Sequence, residues 1–144
     1  MRHYPVFLDL QGRRVLVVGA GKVALRKTKG LLEAGAHVTV VAPQSLPDFD
    51  TLPLHLVRRT FRPSDLDGVL LVFAATNDRR VNRRIRLAAQ RRGILANIAD
   101  SASECDFIVP ARLQRDDVHI AISTGGKSPR VSAELRRKLD EILR

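Results

Sequence analysis

Short apolar runs alternate along this chain with stretches whose apolar residues recur every three or four positions. Arg14-Val15-Leu16-Val17-Val18 predicts a strand, and residues 22–34 predict a helix with Ala24, Thr28, Leu31 and Leu32 on one side. Gly35 is placed to end that helix. A second strand is expected at residues 37–41, and a short third strand at 54–58 inside the Pro-containing region between Pro43 and Pro63. A strand over 69–74, a helix over 78–92 and a strand over 94–98 follow. This alternation predicts an α/β fold, a Rossmann-like parallel sheet with helices on both faces. After Asp100 the pattern changes. Phe107–Pro110 and Val118–Ser123 read as a hairpin added to the sheet region across the polar segment 112–117. Ser128-Pro129 then caps and opens a last helix, whose apolar stripe is Val131, Leu135, Leu139 and Ile142. The expected division is a dinucleotide-binding domain over 1–110 and a hairpin-and-helix segment over 111–144, the latter suited to pairing subunits.

The junction of first strand and first helix carries the strongest chemical signal. Gly19-Ala20-Gly21-Lys22-Val23-Ala24 is a G-x-G-x-x-A turn in its proper setting, strand before and helix after. Gly19 suits the tight turn, Gly21 allows a pyrophosphate to approach the backbone, and Ala24 permits close helix–strand packing. Amide groups at the helix start would face the phosphates. The second strand runs into Ala42-Pro43-Gln44-Ser45 with no carboxylate for the ribose hydroxyls, so backbone groups and Gln44 or Ser45 must serve them. These residues alone leave NAD and NADP both open.

Charge adds a partner class. Twenty-five basic against 15 acidic residues give a net +10, which favours polyanions. The densest basic stretch, Arg79 to Arg86, has Val81 and Ile85 at helical spacing and reads as the solvated face of an amphipathic helix. No nucleic-acid motif accompanies it, and with 5 Phe, 1 Tyr and no Trp the chain is poor in stacking residues, so no nucleic-acid partner is expected. Residues 1–7 lack a leader pattern and no apolar run approaches a membrane span, so the expectation is a soluble, cytoplasmic protein. One cysteine, Cys105, and four scattered histidines predict neither disulfide nor metal site.

Further candidates lie where strands end. Thr76 and Asn77 follow the fourth strand, at the end where open α/β sheets bind ligands, although Asn77 and Asp78 equally suit capping the next helix. Asn97-Ile98-Ala99-Asp100 ends the fifth strand, and Asp100 is a candidate general base. Glu104 and Asp106 lie nearby without a reason to prefer them. Thr124-Gly125-Gly126-Lys127-Ser128 suggests an anion-binding loop. It is no P-loop, because Ala121 stands where the first glycine belongs.

Together these segments carry a resemblance. Tyr4-Pro5-Val6-Phe7-Leu8, Gly19 to Ala24 with Arg26-Lys27, Leu32 to Ala36, Ala74 to Asp78 with Val81-Asn82, Asn97 to Asp100, Phe107 to Pro110 and Ile122 to Pro129 are similar to the precorrin-2 dehydrogenase and sirohydrochlorin ferrochelatase family, the N-terminal part of siroheme synthases. The resemblance spans the whole chain. It implies NAD-dependent oxidation of precorrin-2 to sirohydrochlorin, with ferrous iron inserted by bifunctional members. It also implies an intertwined homodimer and a polycarboxylate tetrapyrrole substrate for which the positive charge has a use. The family's catalytic aspartate falls on Asp100. Gly19, Ala20, Gly21, Lys22, Val23, Pro43, Gln44 and Thr76 fall at the cofactor, and Asn97, Thr124, Gly125, Lys127 and Ser128 at the substrate. Most members continue past the position of Arg144 into a helical region that helps enclose the tetrapyrrole, so the resemblance carries an expectation of less complete enclosure and chelation for residues 1–144. Without a methyltransferase domain, precorrin-2 is expected from a separate enzyme. The competing expectation is a non-enzymatic Rossmann nucleotide-sensing domain, which usually carries the strand-end acid missing here.

Overall fold

The computed structural model describes residues 2–144, so Met1 of the N-terminal stretch lies outside the described residues. Five strands, β1 (Arg14–Val18), β2 (His37–Val41), β3 (His55–Val57), β4 (Leu71–Ala74) and β5 (Leu95–Ile98), form one sheet. All its pairings are parallel and its order is β3-β2-β1-β4-β5. That is the strand order of a doubly wound nucleotide-binding fold. Side chains of β1 alternate between two cores. Val15 and Val17 pack with Ala24 and Leu31 of helix α1 (Lys22–Glu33), whereas Leu16 and Val18 pack with Ile85 and Ala89 of helix α2 (Arg79–Arg91). Each Val, Leu or Ile among them is worth about 1.5–3 kcal/mol on burial. This two-sided covering explains why Val15–Val18 of β1 and all of β4 read as unbroken apolar runs rather than as alternation.

α1 ends where Gly35 announced it. The Gly35 N–H meets the Leu32 carbonyl at 3.0 Å and the Ala36 N–H meets the Leu31 carbonyl at 3.1 Å, the paired bonds of a Schellman cap. The crossover from β3 to β4 is held by Asp65, which accepts both terminal nitrogens of Arg59, at 2.6 and 2.9 Å, and the Arg62 backbone N–H at 2.8 Å. Burial alone would push the Asp65 carboxyl up. The Arg59 hydrogen bonds, the Arg62 amide and the two guanidinium charges outweigh that and leave it below its ordinary value. A carboxylate lowered in the folded state stabilises above its unfolded pKa of about 3.9 and loses that contribution as pH falls through the folded value. Asp65→Asn will therefore lower the melting temperature at pH 7, by an amount that shrinks as the pH is taken below about 4. An equal loss at neutral and acid pH in thermal melts would contradict this role.

The outer edge of β5 is closed by the chain that follows it. Ala96 N–H donates to the Asp106 carboxylate at 2.9 Å, Asp106 N–H returns to the Ala96 carbonyl at 2.9 Å, and Ile98 N–H reaches Cys105 Sγ at 3.1 Å. The Cys105 thiol also donates back to the Ile98 carbonyl at 3.3 Å.

The chain divides into a larger compact unit, Phe7–Phe107, and a smaller one drawn from the two ends, with Ile108–Arg144 as its main part. In the smaller unit β6 (Ala111–Arg115) pairs antiparallel with β7 (Val118–Ile122) as a separate two-stranded sheet. This corrects the hairpin expected from Phe107–Pro110, and its expected addition to the main sheet. Ala111-Arg112-Leu113-Gln114-Arg115 is mostly polar because only Leu113 is buried, and Asp116 takes a left-handed φ of 50° in the connecting turn. Phe107 instead sets its ring edge-on to Phe73, with centroids 5.4 Å apart, in the larger unit. Helix α3 (Pro129–Ile142) follows, tied to β6 by the Arg115–Asp140 ion pair.

Candidate functional site

Between β1 and β4 the strand order reverses direction, and the crevice beyond their C-terminal ends is where such sheets take ligands. Gly19 stands there with φ +109°, its N–H bonded to the Val41 carbonyl at 2.9 Å. An added Cβ at Gly19 would lie 2.3 Å from the Ala75 carbonyl oxygen, so backbone of the β4 end occupies that space. At Gly21 the same construction meets nothing within 4 Å, which leaves the approach to the helix start open. Gly21 is also the N-cap of α1, and no side chain caps this helix, whereas Asp78 caps α2 and Ser128 caps α3. The first-turn amides of α1 thus remain available to an anion, the arrangement a pyrophosphate requires. Ala20 is buried beneath the turn, while Lys22, Val23, Pro43 and Gln44 are exposed around it.

Thr76 follows β4, and its local geometry is set by Asn82, a fully buried residue on α2. Asn82 Oδ1 accepts from the Thr76 hydroxyl at 2.6 Å and from its backbone N–H at 3.2 Å, and Asn82 Nδ2 donates to the Thr76 carbonyl at 3.0 Å. Asn82 fixes the β4–α2 loop, a role its place among arginines concealed. Asp78 performs the capping role, accepting the Arg80 N–H at 2.8 Å.

Asp100 lies just past β5, partly exposed, with Oδ1 2.6 Å from Arg79 Nη1. The other terminal nitrogen of Arg79 pairs with Glu104, which also meets Arg83 at 3.1 Å. Arg86 pairs with Asp106 at 2.8 Å. These three arginines of the amphipathic helix α2, whose Ile85, Ala88 and Ala89 face inward as expected, also brace the loop that carries Asp100, which gives Glu104 a structural task. Arg79 is the residue sequence reasoning missed, and its position immediately after the Asp78 cap was the available signal. Asn97 is buried, with its amide donating to the Phe107 carbonyl at 3.0 Å. Its amide nitrogen is therefore occupied in holding the chain after β5. Lys27 of α1 lies 5.6 Å from the Phe73 ring centroid; burial and then the Arg26 charge lower its pKa, against a smaller raising effect of Cys105.

The loop at Thr124–Ser128, in the smaller unit, is more self-contained than expected. Thr124 Oγ1 accepts the Ser128 N–H at 2.9 Å, Gly125 N–H bonds to the Ser123 hydroxyl at 3.0 Å, and Ser128 Oγ accepts the Val131 N–H at 3.3 Å. Its hydroxyls are thus engaged in turn and cap bonds, while Lys127 is exposed. No group of three or more His, Cys, Asp or Glu among the described residues is placed to hold a metal ion. No helix among them is long and apolar enough to cross a membrane.

The NAD(P)-binding family model matches residues 6–111, and the Sirohaem biosynthesis protein central model matches residues 115–142. A siroheme synthase of Nitrosomonas eutropha is 41% identical over 99% of this chain and 31% of its own length. Siroheme synthase 2 of Klebsiella pneumoniae is 43% identical, over 99% of this chain and 32% of its own. The chain thus spans about a third of the length of these relatives. The structure of SirC, a precorrin-2 dehydrogenase, superposes with a TM-score of 0.84 at 36% identity, covering 97% of this chain and 71% of that one. Sheet order, glycine turn and matched models define a dinucleotide-binding protein of the Rossmann class. Within that class, the chain belongs to the precorrin-2 dehydrogenase family.

Proposed function

We propose that this chain oxidises precorrin-2 to sirohydrochlorin, with NAD+ as the electron acceptor. The observation that carries the reading is a carboxylate, Asp100, anchored by Arg79 at the end of β5, next to the strand that borders the dinucleotide crevice. The bound dinucleotide supplies the hydride acceptor, and the overall change removes one hydride and one proton from the substrate, giving NADH and H+. Asp100 receives the proton, a role that needs a carboxylate fixed in direction, and the Arg79 Nη1 contact at 2.6 Å fixes it. The free amides of α1 hold the pyrophosphate, with Gly19, Ala20, Gly21, Lys22 and Val23 forming the turn, Pro43 and Gln44 at the adenosine end and Thr76 at the β4 rim. Asn97, Thr124, Gly125, Lys127 and Ser128 serve the tetrapyrrole, the exposed Lys127 ammonium being the group suited to its carboxylates. A net charge of +10 favours capture of such a polyanion.

We further infer a homodimer formed through the smaller unit. On α3, Val131, Leu135 and Ile142 are 44%, 42% and 74% exposed, an apolar stripe left uncovered in the single chain. Ferrous iron is the candidate second substrate, to be inserted into the product. The alternative, a nucleotide-sensing domain without catalysis, is not favoured, since it gives no use to the Arg79-anchored aspartate. Anaerobic absorbance spectra with enzymatically generated precorrin-2 test the proposal. Sirohydrochlorin should form rapidly only when NAD+ is present; dinucleotide binding without conversion would overturn the dehydrogenase reading in favour of a sensor.

A further inference from the structure

We propose that Ser45, Asp50 and Arg58 form the subsite that reads the 2′ position of the adenosine ribose, and that this subsite admits NADP+ alongside NAD+. The inference rests on the dinucleotide reading of the glycine turn. The loop leaving β2 is drawn back onto that turn, because the Leu46 N–H donates to the Ala20 carbonyl at 3.0 Å. Ser45 immediately precedes Leu46, so it lies where a Rossmann fold meets the ribose. In many such folds an acid at the end of the second strand accepts the ribose hydroxyls and repels a 2′-phosphate. Here the strand end is Ala42-Pro43-Gln44, without a carboxylate.

An arginine arrives there instead. Arg58 directly follows β3, which is locked beside the end of β2 by the Ala42 N–H bond to the Val57 carbonyl at 3.1 Å. Its Nη1 donates to Ser45 Oγ at 2.9 Å, and its Nη2 pairs with Asp50 at 2.7 Å. A guanidinium has five N–H donors, so these two bonds leave donors over for a third partner. Asp50 comes from the one-turn 3-10 helix Pro47–Thr51 rather than from the strand. Both side chains of the pair are more than half exposed, and ion pairs of that kind hold weakly. A phosphate dianion, a natural bidentate partner for a guanidinium, can therefore replace Asp50 on Arg58, with the Ser45 hydroxyl as an additional donor. With the unphosphorylated coenzyme, Asp50 supplies the acceptor for the ribose hydroxyls that β2 lacks. A charge-balanced patch thus stands where a discriminating acid is usual, and it serves either coenzyme.

Isothermal titration of the full chain with NAD+ and with NADP+ tests this, using wild type, Arg58→Ala and Asp50→Asn. Wild type should bind both coenzymes with Kd values within about tenfold of each other. Arg58→Ala should weaken NADP+ by about tenfold or more while changing NAD+ by less than about threefold. Asp50→Asn should tighten NADP+ by removing the competing charge. Binding of NAD+ with no measurable NADP+ by wild type, or equal loss of both coenzymes in Arg58→Ala, would overturn the subsite. Binding of neither coenzyme by folded wild type would overturn the dinucleotide reading itself, and this proposal with it.

Discussion

Asp100→Ala will reduce NAD+-dependent oxidation of precorrin-2 by about 10²- to 10⁴-fold, the usual contribution of a positioned general base. NAD+ affinity should stay within about twofold, because Asp100 lies past β5 and not at the glycine turn. The fold should survive as well. Arg79 keeps its pairing with Glu104 when Asp100 is gone, and Arg83 and Arg86 still hold the loop through Glu104 and Asp106. Arg79→Ala separates positioning from chemistry. It should lower kcat with little change in KM, and Arg79→Lys should recover part of the loss, since an ammonium keeps the charge without the fork that spans Asp100 and Glu104. Steady-state rates under anaerobic conditions and a calorimetric Kd for NAD+ provide the check. Undiminished turnover in Asp100→Ala would remove this residue from the mechanism.

The largest effect on stability is expected at Gly19. An alanine there would need a φ of +109° and would place its Cβ 2.3 Å from the Ala75 oxygen and 2.7 Å from the Ala75 carbonyl carbon. Neither backbone can yield easily, since Gly19 N–H is bonded to Val41 and Ala75 N–H to the Val18 carbonyl at 2.8 Å. Backbone strain costs about 1–3 kcal/mol, and the overlap adds to it. A total of about 3–5 kcal/mol is a large part of the 5–15 kcal/mol typical of a folded domain. Gly21→Ala is the matched control. Its φ of −93° suits alanine and its Cβ meets no neighbour, so stability should hold while the methyl group fills the path of the pyrophosphate and weakens dinucleotide binding. Urea midpoints for the two variants decide it, and a Gly19→Ala midpoint equal to wild type would contradict the packing of β1 against the β4 end.

Much of the larger unit was legible because its signals are local. β1 and most of β2 are buried, so their largely apolar sequences mark their bounds, and Ser128-Pro129 opens α3 because cap and first-turn chemistry act within three residues. β6 was misplaced for the opposite reason. One buried side chain, Leu113, is too little alternation to outweigh the three charged or amide residues around it in β6, Arg112, Gln114 and Arg115, while Phe107 of the apolar Phe107–Pro110 run is engaged in a ring contact in the larger unit and not in strand pairing. Candidate site residues were found where strand ends and motif spacing point. The partnerships that shape them were not, since Arg79 and Asp100 are 21 residues apart, Arg58 and Ser45 are 13 apart, and no local pattern encodes which charges the topology brings together.

The clasp of Cys105 and Asp106 over β5 has a further consequence for behaviour in concentrated solution. An uncovered sheet edge is a template on which other chains can add strands, and this one is already saturated by the protein's own thiol, carboxylate and backbone. The opposite edge is β3, only 3 residues long and too short to seed extended pairing. Fibre-like growth through the main sheet is thereby disfavoured at both edges.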